Sequence, residues 1–423
     1  MTTDPTTVER TNWAGNVTFS AARFHGPTSV PELQRIVAGA RAVRTLGSGH
    51  SFNRIADTAG DLVSVSGLPT VLELDSAAGQ VKVSAGTRYG ELGRFLQRQG
   101  FALHNTGSLP HISVAGASAT GTHGSGVGNG NLATIVSAIE IVGPGGDLVS
   151  LSRRADGEPF NGMVLALGAL GVMTSLTLEV VPTFDIRQDV FEELNATTLD
   201  EHFQEIMASG YSVSVFTDWT TPGRYQVWRK SRVDAFTGTD DFFGGIPAAV
   251  DVNPVPGMPG ENATAQLGVP GPWNERLPHF RLEFTPSSGD ELQAEYLLPL
   301  AQAAAARQAL EEISSLIAPV LMISEFRAIA GDDLWISPSH RQDSVAFHFT
   351  FRPDPVALAP VTAAIEAALA PFGARPHWGK VFATAPEVLD TLYPRMDDFR
   401  GLLRTYDPAG KFRNELVERL IRV

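Results

Sequence analysis

The chain lacks cysteine altogether, and this absence excludes several classes of site. Disulfide bridges, thiolate zinc sites, iron–sulfur clusters and cysteine nucleophiles all need the side chain that is missing. Lysine is also scarce, since only four of the 32 Lys and Arg residues are lysines. Each lysine is therefore a candidate for a specific role, and the four are Lys82, Lys230, Lys380 and Lys411.

Positive charge is in short supply as well, with 32 Lys and Arg against 46 Asp and Glu and a formal net charge of −14. A negative field of this size repels nucleic acid and acidic membrane surfaces, so we expect neither as a partner. No unbroken apolar run reaches about 18 residues, which argues against a membrane-spanning helix. The N-terminal segment has neither the basic start nor the apolar stretch of a signal peptide. We therefore expect a cytoplasmic protein, and we expect it to be a monomer.

The residues that are present are those of a globular protein with more than one domain. The chain has 423 residues, 43% of them hydrophobic, which is enough for two or three domains. Residues 30–183 alternate short helical and strand-like segments around a tract rich in glycine, serine and threonine at 107–130. From about residue 185 the strands lengthen and helices follow them, which is typical of an antiparallel sheet covered by helices on one side. We predict an α+β fold with a first domain over 1–184, a second over 185–376, and a C-terminal segment, 377–423, that returns to the first domain.

The first chemical signal is the segment GSGHSFN, from Gly47 to Asn53, which directly follows an apolar strand. Glycines allow backbone N–H groups to converge on an anion, and the serine and asparagine side chains add further donors. We interpret the segment as a pyrophosphate cradle, although a polar turn between two strands is an equally common use of such residues.

A second tract, from Ser113 to Gly126, repeats this chemistry over a greater length. Two anion-binding loops about 65 residues apart indicate an extended ligand. Neither tract contains G-x-G-x-x-G, and the chain contains no G-x-x-x-x-G-K-[ST]. A nicotinamide dinucleotide site and a nucleoside-triphosphate hydrolase site are therefore disfavoured.

Polar residues interrupt two apolar strands at alternate positions. Glu325 and Arg327 point to one face of their strand while Phe326 points to the other, because side chains alternate along a strand. His348 and Thr350 repeat the pattern between phenylalanines. Four polar groups between apolar layers need polar partners or a ligand. An internal ion pair with a satisfied core histidine and a polar binding site both remain open at this point.

These motifs carry a resemblance to a known family. GSGHSFN, LPHISVAGASATGTHGSG, GALGV at 168–172 and RPHWGK at 375–380 are similar to the vanillyl-alcohol-oxidase-type flavoproteins, in the group that contains the aldonolactone oxidoreductases and the alditol oxidases. TNWAGN, FTDW, PVPGMP, VPGPWNERLPHF and FTPSSGDELQAEY resemble the alditol oxidase branch, so the similarity spans nearly the whole chain. It implies a two-domain fold, with a PCMH-type FAD-binding domain and a substrate-binding cap domain built on an antiparallel sheet flanked by helices.

The resemblance implies that FAD is the cofactor and that His50 is joined covalently to the 8α-methyl group of the isoalloxazine ring. An exposed turn histidine is the alternative interpretation of His50. The role of His123, which matches the family only in motif, stays open. The other cofactor contacts implied are Gly47, Ser48, Gly49, Ser51 and Asn53 at the pyrophosphate, then Ser108, Ser113, Gly116, Ala117, Ser118, Ala119, Gly121 and Thr122 in the second loop, Val172 through its backbone near the adenine, and His377.

The family's reaction implies oxidation of the terminal primary hydroxyl of an alditol such as xylitol or sorbitol to the aldose. Hydride passes to flavin N5, and molecular oxygen is reduced to hydrogen peroxide. A polyol offers a donor and two acceptors on every hydroxyl, so its pocket needs many polar side chains. The substrate-binding residues implied are Ser108, Gln293, Glu325, Arg327, His348, Thr350 and Lys380.

Within this set we assign catalytic roles to Lys380, Arg327, Glu325 and His348. Lys380 binds the reacting oxygen and assists removal of its proton, because its tryptophan and glycine neighbours desolvate the amine and lower its pKa. A charge that anchors the pyrimidine side of the flavin is the alternative role for Lys380, and His348 is the alternative base. Glu325 and Arg327 hold hydroxyls near the reacting carbon, and Arg327 stabilises a developing alkoxide.

Two other functions remain open from the sequence. An aldonolactone oxidase or dehydrogenase of the L-gulono- or L-galactono-lactone type shares the HWGK and Glu-x-Arg motifs, and an inert flavin- or sugar-binding protein belongs to a different class. Gly107 stands where we expect alanine in the family, and its lack of a side chain is compatible with oxygen reaching the reduced cofactor.

Overall fold

The structure is a computed structural model that describes residues 10–220, 225–238, 241–284 and 289–423. One part of the FTPSSGDELQAEY motif, residues 285–288, lies outside the described residues. Helices combine with largely antiparallel sheets, which confirms the predicted α+β class.

The first unit consists of short strands with helices between them. Its strands are β1 (Arg23–His25), β2 (Val43–Leu46), β3 (Asp61–Ser64), β4 (Leu72–Asp75), β5 (Gln80–Ser84), β6 (Phe101–Ala102), β7 (Val136–Val142), β8 (Leu148–Ser152), β9 (Val172–Glu179) and β10 (Val181–Pro182). Its helices are α1 (Val30–Gly39), α2 (Tyr89–Arg98), α3 (Val114–Thr120), α4 (Arg153–Asp156) and α5 (Phe160–Met163). A parallel sheet has the order β1-β3-β2, and an antiparallel sheet has the order β4-β5-β9-β7-β8.

The second glycine-rich tract differs from its predicted structure, because its first half is helix α3 and not a loop. Val114, Ala117 and Ser118 are the buried residues of α3, and their i, i+3, i+4 spacing is that of one helical face. The small side chains conceal this periodicity in the sequence. Ser113 caps the N-terminus of the helix, and Gly121 caps its C-terminus.

The second unit is an antiparallel sheet with the order β14-β11-β13-β12-β17-β18-β16-β19, in which β15 also pairs with β11. Its strands are β11 (Asp185–Leu194), β12 (Ser212–Thr217), β13 (Tyr225–Arg232), β14 (Ile246–Pro247), β15 (Gly271–Pro272), β16 (Leu292–Pro299), β17 (Leu321–Ile329), β18 (Ser344–Phe351) and β19 (Arg375–Pro376). Its helices are α6 (Ala196–Glu201), α7 (Phe203–Ala208), α8 (Trp273–Arg276), α9 (Ala303–Glu312), α10 (Ser314–Ile317) and α11 (Pro355–Leu369).

The phenylalanines that alternate with the polar residues of β17 and β18 face a separate core. Phe326, Phe347 and Phe349 are fully buried there and pack with apolar side chains of the covering helices, such as Leu310 and Ile365. The opposite face of the same strands therefore carries the polar side chains.

Helix α11 and the turn after it, Pro355–Phe372, are long and apolar enough to cross a membrane by length and composition, with a mean hydropathy of 1.5. Glu366 interrupts the apolar run of this segment. Leu358, Ile365 and Leu369 of the helix are buried in the core of the second unit, as in the core helix of a globular protein.

The C-terminal segment packs against the first unit. Its helices are α12 (Pro386–Leu392), α13 (Met396–Tyr406) and α14 (Glu415–Ile421). Leu389, Phe399 and Val417 lie in the same core as Val81 and Leu176 of the first unit's antiparallel sheet. Trp273 and Trp335, which fall inside the predicted second domain, are also buried in this first core.

A buried arginine joins the C-terminal segment to the first unit. The Arg44 guanidinium donates to the backbone carbonyls of Phe412 at 2.6 Å and Leu167 at 2.7 Å, and also to those of Ile55 and Gly168. Burial lowers the pKa of Arg44 to about 10, so the side chain keeps its charge at neutral pH.

We predict that Arg44→Met destabilises the protein by about 3 kcal/mol or more, because buried carbonyl oxygens lose charged hydrogen bonds. Urea denaturation followed by tryptophan fluorescence measures the loss. Arg35→Met is the matched control, since Arg35 is exposed and its Nε donates to Pro31 O at 3.3 Å within its own helix. Equal denaturation midpoints for the two variants would show that the Arg44 contacts contribute nothing.

Candidate active site

The GSGHSFN loop is bound to the loop that carries Lys380. Asn53 Nδ2 donates to the carbonyls of Trp378 and Lys380, at 2.8 Å each, and Phe52 N donates to Gly379 O at 2.8 Å. The loop that was predicted to bind a cofactor therefore fixes the position of the predicted catalytic lysine.

The two glycine-rich tracts meet each other through their serines. Ser48 N lies 3.3 Å from Ser113 Oγ, and Ser113 N donates to Ser48 Oγ at 3.0 Å. A Cβ atom on Gly47 would lie 2.5 Å from Ser113 Oγ, so only glycine allows this approach. The backbone of the first tract is thus held against the start of α3, at one end of the cavity described below.

His50 is half-buried between these loops, and its Nδ1 atom is fully buried. Its ring stacks on Trp13 with centroids 5.0 Å apart and an interplanar angle of 19°. Gly49, with a φ of +74°, accepts a hydrogen bond from Trp13 N at 2.9 Å and so fixes the tryptophan. Burial, together with the charge of Lys380, lowers the pKa of His50 to about 4. The imidazole is therefore neutral at physiological pH and has a free electron pair for reaction.

The two tracts, the polar strands and the Lys380 loop line one cavity of about 320 Å³. The predicted cofactor residues that line it are Gly47, Ser48, Gly49, His50, Ser51, Asn53, Ser108, Ser113, Gly116, Ala117, Ala119, Thr122 and His377. The predicted substrate residues Ser108, Gln293, Glu325, Arg327, His348, Thr350 and Lys380 line the same cavity. The geometry brings both sets together.

Ser118, Gly121 and Val172 are not brought to the cavity. Ser118 is buried on the inner side of α3, where its hydroxyl donates to Val114 O at 3.0 Å. Val172 begins β9 with a buried side chain, while the neighbouring residues Gly171 and Met173 line the cavity.

Strand register explains how the polar side chains form one row. His348 on the central strand β18 lies opposite Glu325 on β17 and opposite Glu295 on β16. Two residues further along the strands, Thr350 pairs with Gln293. Equivalent positions on neighbouring strands face the same side of a sheet, so the row projects into the cavity.

Arg327 is the cationic centre of this row. Its Nη2 donates to Glu295 Oε1 at 2.5 Å, its Nε lies 3.6 Å from Glu325 Oε1, and its Nη1 lies 3.3 Å from Ser108 Oγ. Burial alone would raise the pKa of both carboxyl groups, but the charge of Arg327 keeps each pKa well below its ordinary value. Both carboxylates are therefore ionised inside the protein.

Glu295 is a site residue that the sequence reasoning missed. Its Oε2 lies 3.5 Å from His348 Nδ1, and its Oε1 lies 3.2 Å from His123 Nε2. The alternation of QAEY along β16 places Glu295 on the same face as Gln293, and this signal was available in the sequence. His279, whose Nε2 lies 2.7 Å from Glu325 Oε1, stands in an irregular segment and gave no comparable signal.

Lys380 occupies a desolvated position at the junction of the loops and the row. Its Nζ contacts Gln293 Oε1 and lies 4.9 Å from the centroid of the Phe52 ring. Burial lowers the pKa of Lys380 to about 8, whereas Glu295 and Glu291 oppose the shift. A pKa in this range gives a substantial fraction of neutral amine near pH 8, as a general base requires.

His348, the alternative base, lies in the middle of the row. Its Nε2 lies 3.2 Å from Thr350 Oγ1, and its other ring nitrogen faces Glu295. Burial lowers the pKa of His348, so the imidazole is neutral. The cavity as a whole therefore combines hydroxyl-binding groups, one guanidinium and one amine that accepts protons with the two glycine-rich tracts.

Comparisons with known proteins agree with this geometry. Residues 21–152 match the FAD binding domain family, and residues 290–420 match the D-arabinono-1,4-lactone oxidase family. The chain is 51% identical to an alditol oxidase from Streptomyces sp. strain IKD472, over 97% of this chain and 98% of that protein. It is 27% identical to an L-gulono-1,4-lactone dehydrogenase from Mycobacterium tuberculosis, over 97% and 98%.

Solved structures with the same fold include cholesterol oxidase from B. sterolicum, with a TM-score of 0.78, 14% identity and coverage of 98% of this chain and 96% of that one. A solvent-stable cholesterol oxidase gives a TM-score of 0.78 at 15% identity, with coverage of 98% and 97%. These likenesses, together with the FAD binding domain match over residues 21–152, confirm the predicted two-domain FAD-binding fold.

We predict that Glu295→Gln lowers the free energy of unfolding by about 3 kcal/mol, because it leaves the Arg327 charge with a single carboxylate in a buried site. Urea denaturation measures the change. Glu283→Gln, which removes an exposed ion pair with Arg94, is the matched control and leaves the free energy nearly unchanged. A Glu295→Gln variant as stable as the control would contradict this account of the buried network.

Proposed function

Because the chain belongs to the alditol oxidase family, we propose that it oxidises the terminal primary hydroxyl of an alditol, such as xylitol or sorbitol, to the aldose. Two electrons and two protons leave the substrate, and molecular oxygen takes them up as hydrogen peroxide. The observation that carries the proposal is the row of polar side chains on β16, β17 and β18, which opens onto the same cavity as the two glycine-rich tracts.

The residues of the cavity fit FAD. His50 Nδ1 is buried and has no hydrogen-bond partner within the described parts of the chain, although most buried polar atoms have one. The reciprocal Ser48 and Ser113 contacts bring the backbones of both tracts to one end of the cavity, where they would hold the pyrophosphate. We propose that His50, neutral and stacked on Trp13, carries the flavin covalently.

The polar row fits a chain of hydroxyl groups. Gln293 and Thr350 supply neutral donors and acceptors, whereas Glu325 only accepts and Arg327 only donates. A substrate that lacks one hydroxyl would leave a buried partner without its hydrogen bond, and such a site rejects it strongly. We propose that this complementarity selects polyols.

A bound flavin supplies the electron acceptor for the carbinol carbon of the substrate. Lys380 binds the hydroxyl oxygen on that carbon, and its neutral amine takes the proton as the carbon–hydrogen bond breaks. Arg327 stabilises the negative charge that develops on the oxygen. Gln293, in contact with Lys380 Nζ, orients the amine.

We predict that xylitol and sorbitol cause the protein to consume oxygen and to form an equal amount of peroxide. An oxygen electrode measures the oxygen consumed. Catalase then returns half of the oxygen consumed, since peroxide disproportionates. The match of residues 290–420 to a lactone oxidase family makes L-gulono- and L-galactono-lactone the comparison substrates. Faster flavin reduction by either lactone than by both polyols would assign the protein to the lactone oxidoreductases.

We predict that the flavin stays with the protein after acid precipitation and that His50→Ala releases it into the supernatant. The supernatant is read by flavin absorbance. His111→Ala is the control, because the His111 ring donates to Leu282 O at 2.8 Å and His111 does not line the cavity. Complete release from the unmodified protein would exclude a covalent bond.

We predict that Lys380→Met keeps the fold and the flavin but slows anaerobic flavin reduction by roughly 10²–10⁴-fold, the usual effect of losing a positioned base. Lys380→Arg restores nothing, since a guanidinium stays protonated. In the unmodified protein the reduction rate falls about tenfold for each pH unit below about 8 and is constant above it, because only the neutral amine accepts the proton.

The alternative role of Lys380, as an anchor for the flavin, gives the opposite pattern. Lys380→Arg would then restore activity in part, and Lys380→Met would lose flavin or shift its visible spectrum. Rapid mixing of both variants with xylitol separates the two roles, and an unchanged rate in Lys380→Met would leave His348 as the base.

A further inference from the structure

Lys230 is a second buried lysine, and it lies behind the substrate row without lining the cavity. Its Nζ donates to Leu277 O at 2.6 Å and to Pro278 O at 3.1 Å, and it lies 3.0 Å from His279 Nδ1. These three acceptors equal the number of donors on an ammonium group. Burial lowers the pKa of Lys230 to about 7, and the Glu325 charge opposes this, so Lys230 is protonated at pH 6.

His279 connects this lysine to the cavity. Its ring is held edge-on between Trp228, with centroids 5.5 Å apart, and Phe216, with centroids 5.6 Å apart. Burial, together with the charge of Lys230, lowers the pKa of His279 to about 4, so the ring is neutral at pH 6. A charged lysine can only donate, so His279 Nδ1 must accept and the ring proton must lie on Nε2.

His279 Nε2 then donates to Glu325 Oε1 at 2.7 Å. Among the described residues, His279 Nε2 and Arg327 Nε both meet the Glu325 carboxylate at Oε1. Glu325 lines the cavity, so its second oxygen is the one available to a ligand. Lys230 donates to His279, and His279 donates to Glu325. These successive hydrogen bonds thus determine which oxygen of the carboxylate faces the substrate.

We propose that Lys230 is a positioning residue for substrate binding: it keeps His279 Nδ1 unprotonated as an acceptor, and through that ring it holds Glu325 as an acceptor for a polyol hydroxyl. This inference rests on the proposed function, because it takes the ligand of Glu325 to be an alditol. Lys230 lies on β13, opposite Gln188 and Ser212. The sheet therefore fixes the position of the lysine from which the series of hydrogen bonds starts.

A purely structural role for Lys230, tying Leu277 and Pro278 to the sheet, is the competing explanation. If this explanation holds, replacing Lys230 destabilises the protein but leaves the His279 tautomer and the affinity for substrate unchanged. Lys411 provides a matched control, because its Nζ also donates to two backbone carbonyls, those of Val37 and Pro144, outside the cavity.

The tautomer is measured by nitrogen NMR at pH 6 on the flavin-loaded protein labelled at the histidine ring nitrogens. The His279 signals are identified by their loss in His279→Gln. We expect an unprotonated Nδ1 in the unmodified protein and in Lys411→Met, and a shift of that signal toward a protonated nitrogen in Lys230→Met. Lys230→Gln, whose amide can still donate to Nδ1, retains the original tautomer and replaces Lys230→Met if that variant does not fold.

Substrate affinity is measured by anaerobic flavin reduction at increasing xylitol concentration. We expect Lys230→Met to raise the apparent Kd about tenfold or more, with a much smaller change in the limiting rate. The double variant Lys230→Met/Glu325→Gln binds xylitol no more weakly than Glu325→Gln alone, because both changes remove the same contact.

An unchanged His279 tautomer in Lys230→Met, or losses of affinity that add in the double variant, would overturn the inference. Failure of xylitol to reduce the unmodified protein would instead overturn the proposed function.

Discussion

The charge of Arg327 is the interaction on which the cavity depends. Glu295 and Glu325 are both buried, and two unpaired carboxylates in such a site would take up protons. The guanidinium between them keeps both ionised. Their negative charge in turn limits the effect of burial on Lys380, whose pKa falls to about 8 and no further. The arginine thus sets the protonation of a lysine on a different segment of the chain.

The sequence was sufficient for the features that depend on local periodicity. Alternation along a strand placed Glu325 with Arg327 and His348 with Thr350 on common faces, and the structure shows all four lining the cavity. Helix α3 escaped notice because its small residues hide their spacing. The Glu295–His348 pair could not be predicted, since it follows from the register of β16 on β18 and not from either strand alone. His279 depends on an irregular segment whose path no pattern indicates.

The site is composite, because each part of the chain supplies something the others lack. The first unit contributes the glycine-rich tracts, the second contributes the polar row, and the C-terminal loop contributes Lys380. Asn53 joins the first and last of these by two hydrogen bonds of 2.8 Å. Together with the hydrogen bond from Phe52 N to Gly379 O, these contacts hold the GSGHSFN loop directly against the loop that carries Lys380.

The Arg44 contact has a consequence for how the protein is made. The hydrogen bond from Arg44 to Phe412 O joins residues 368 positions apart. At ordinary rates of translation the ribosome needs roughly 20–70 s to synthesise this length of chain. The hydrogen bond from Arg44 to Phe412 O cannot form before then. The first unit therefore completes its core only after the second unit has been synthesised, and it matures last although its strands emerge first.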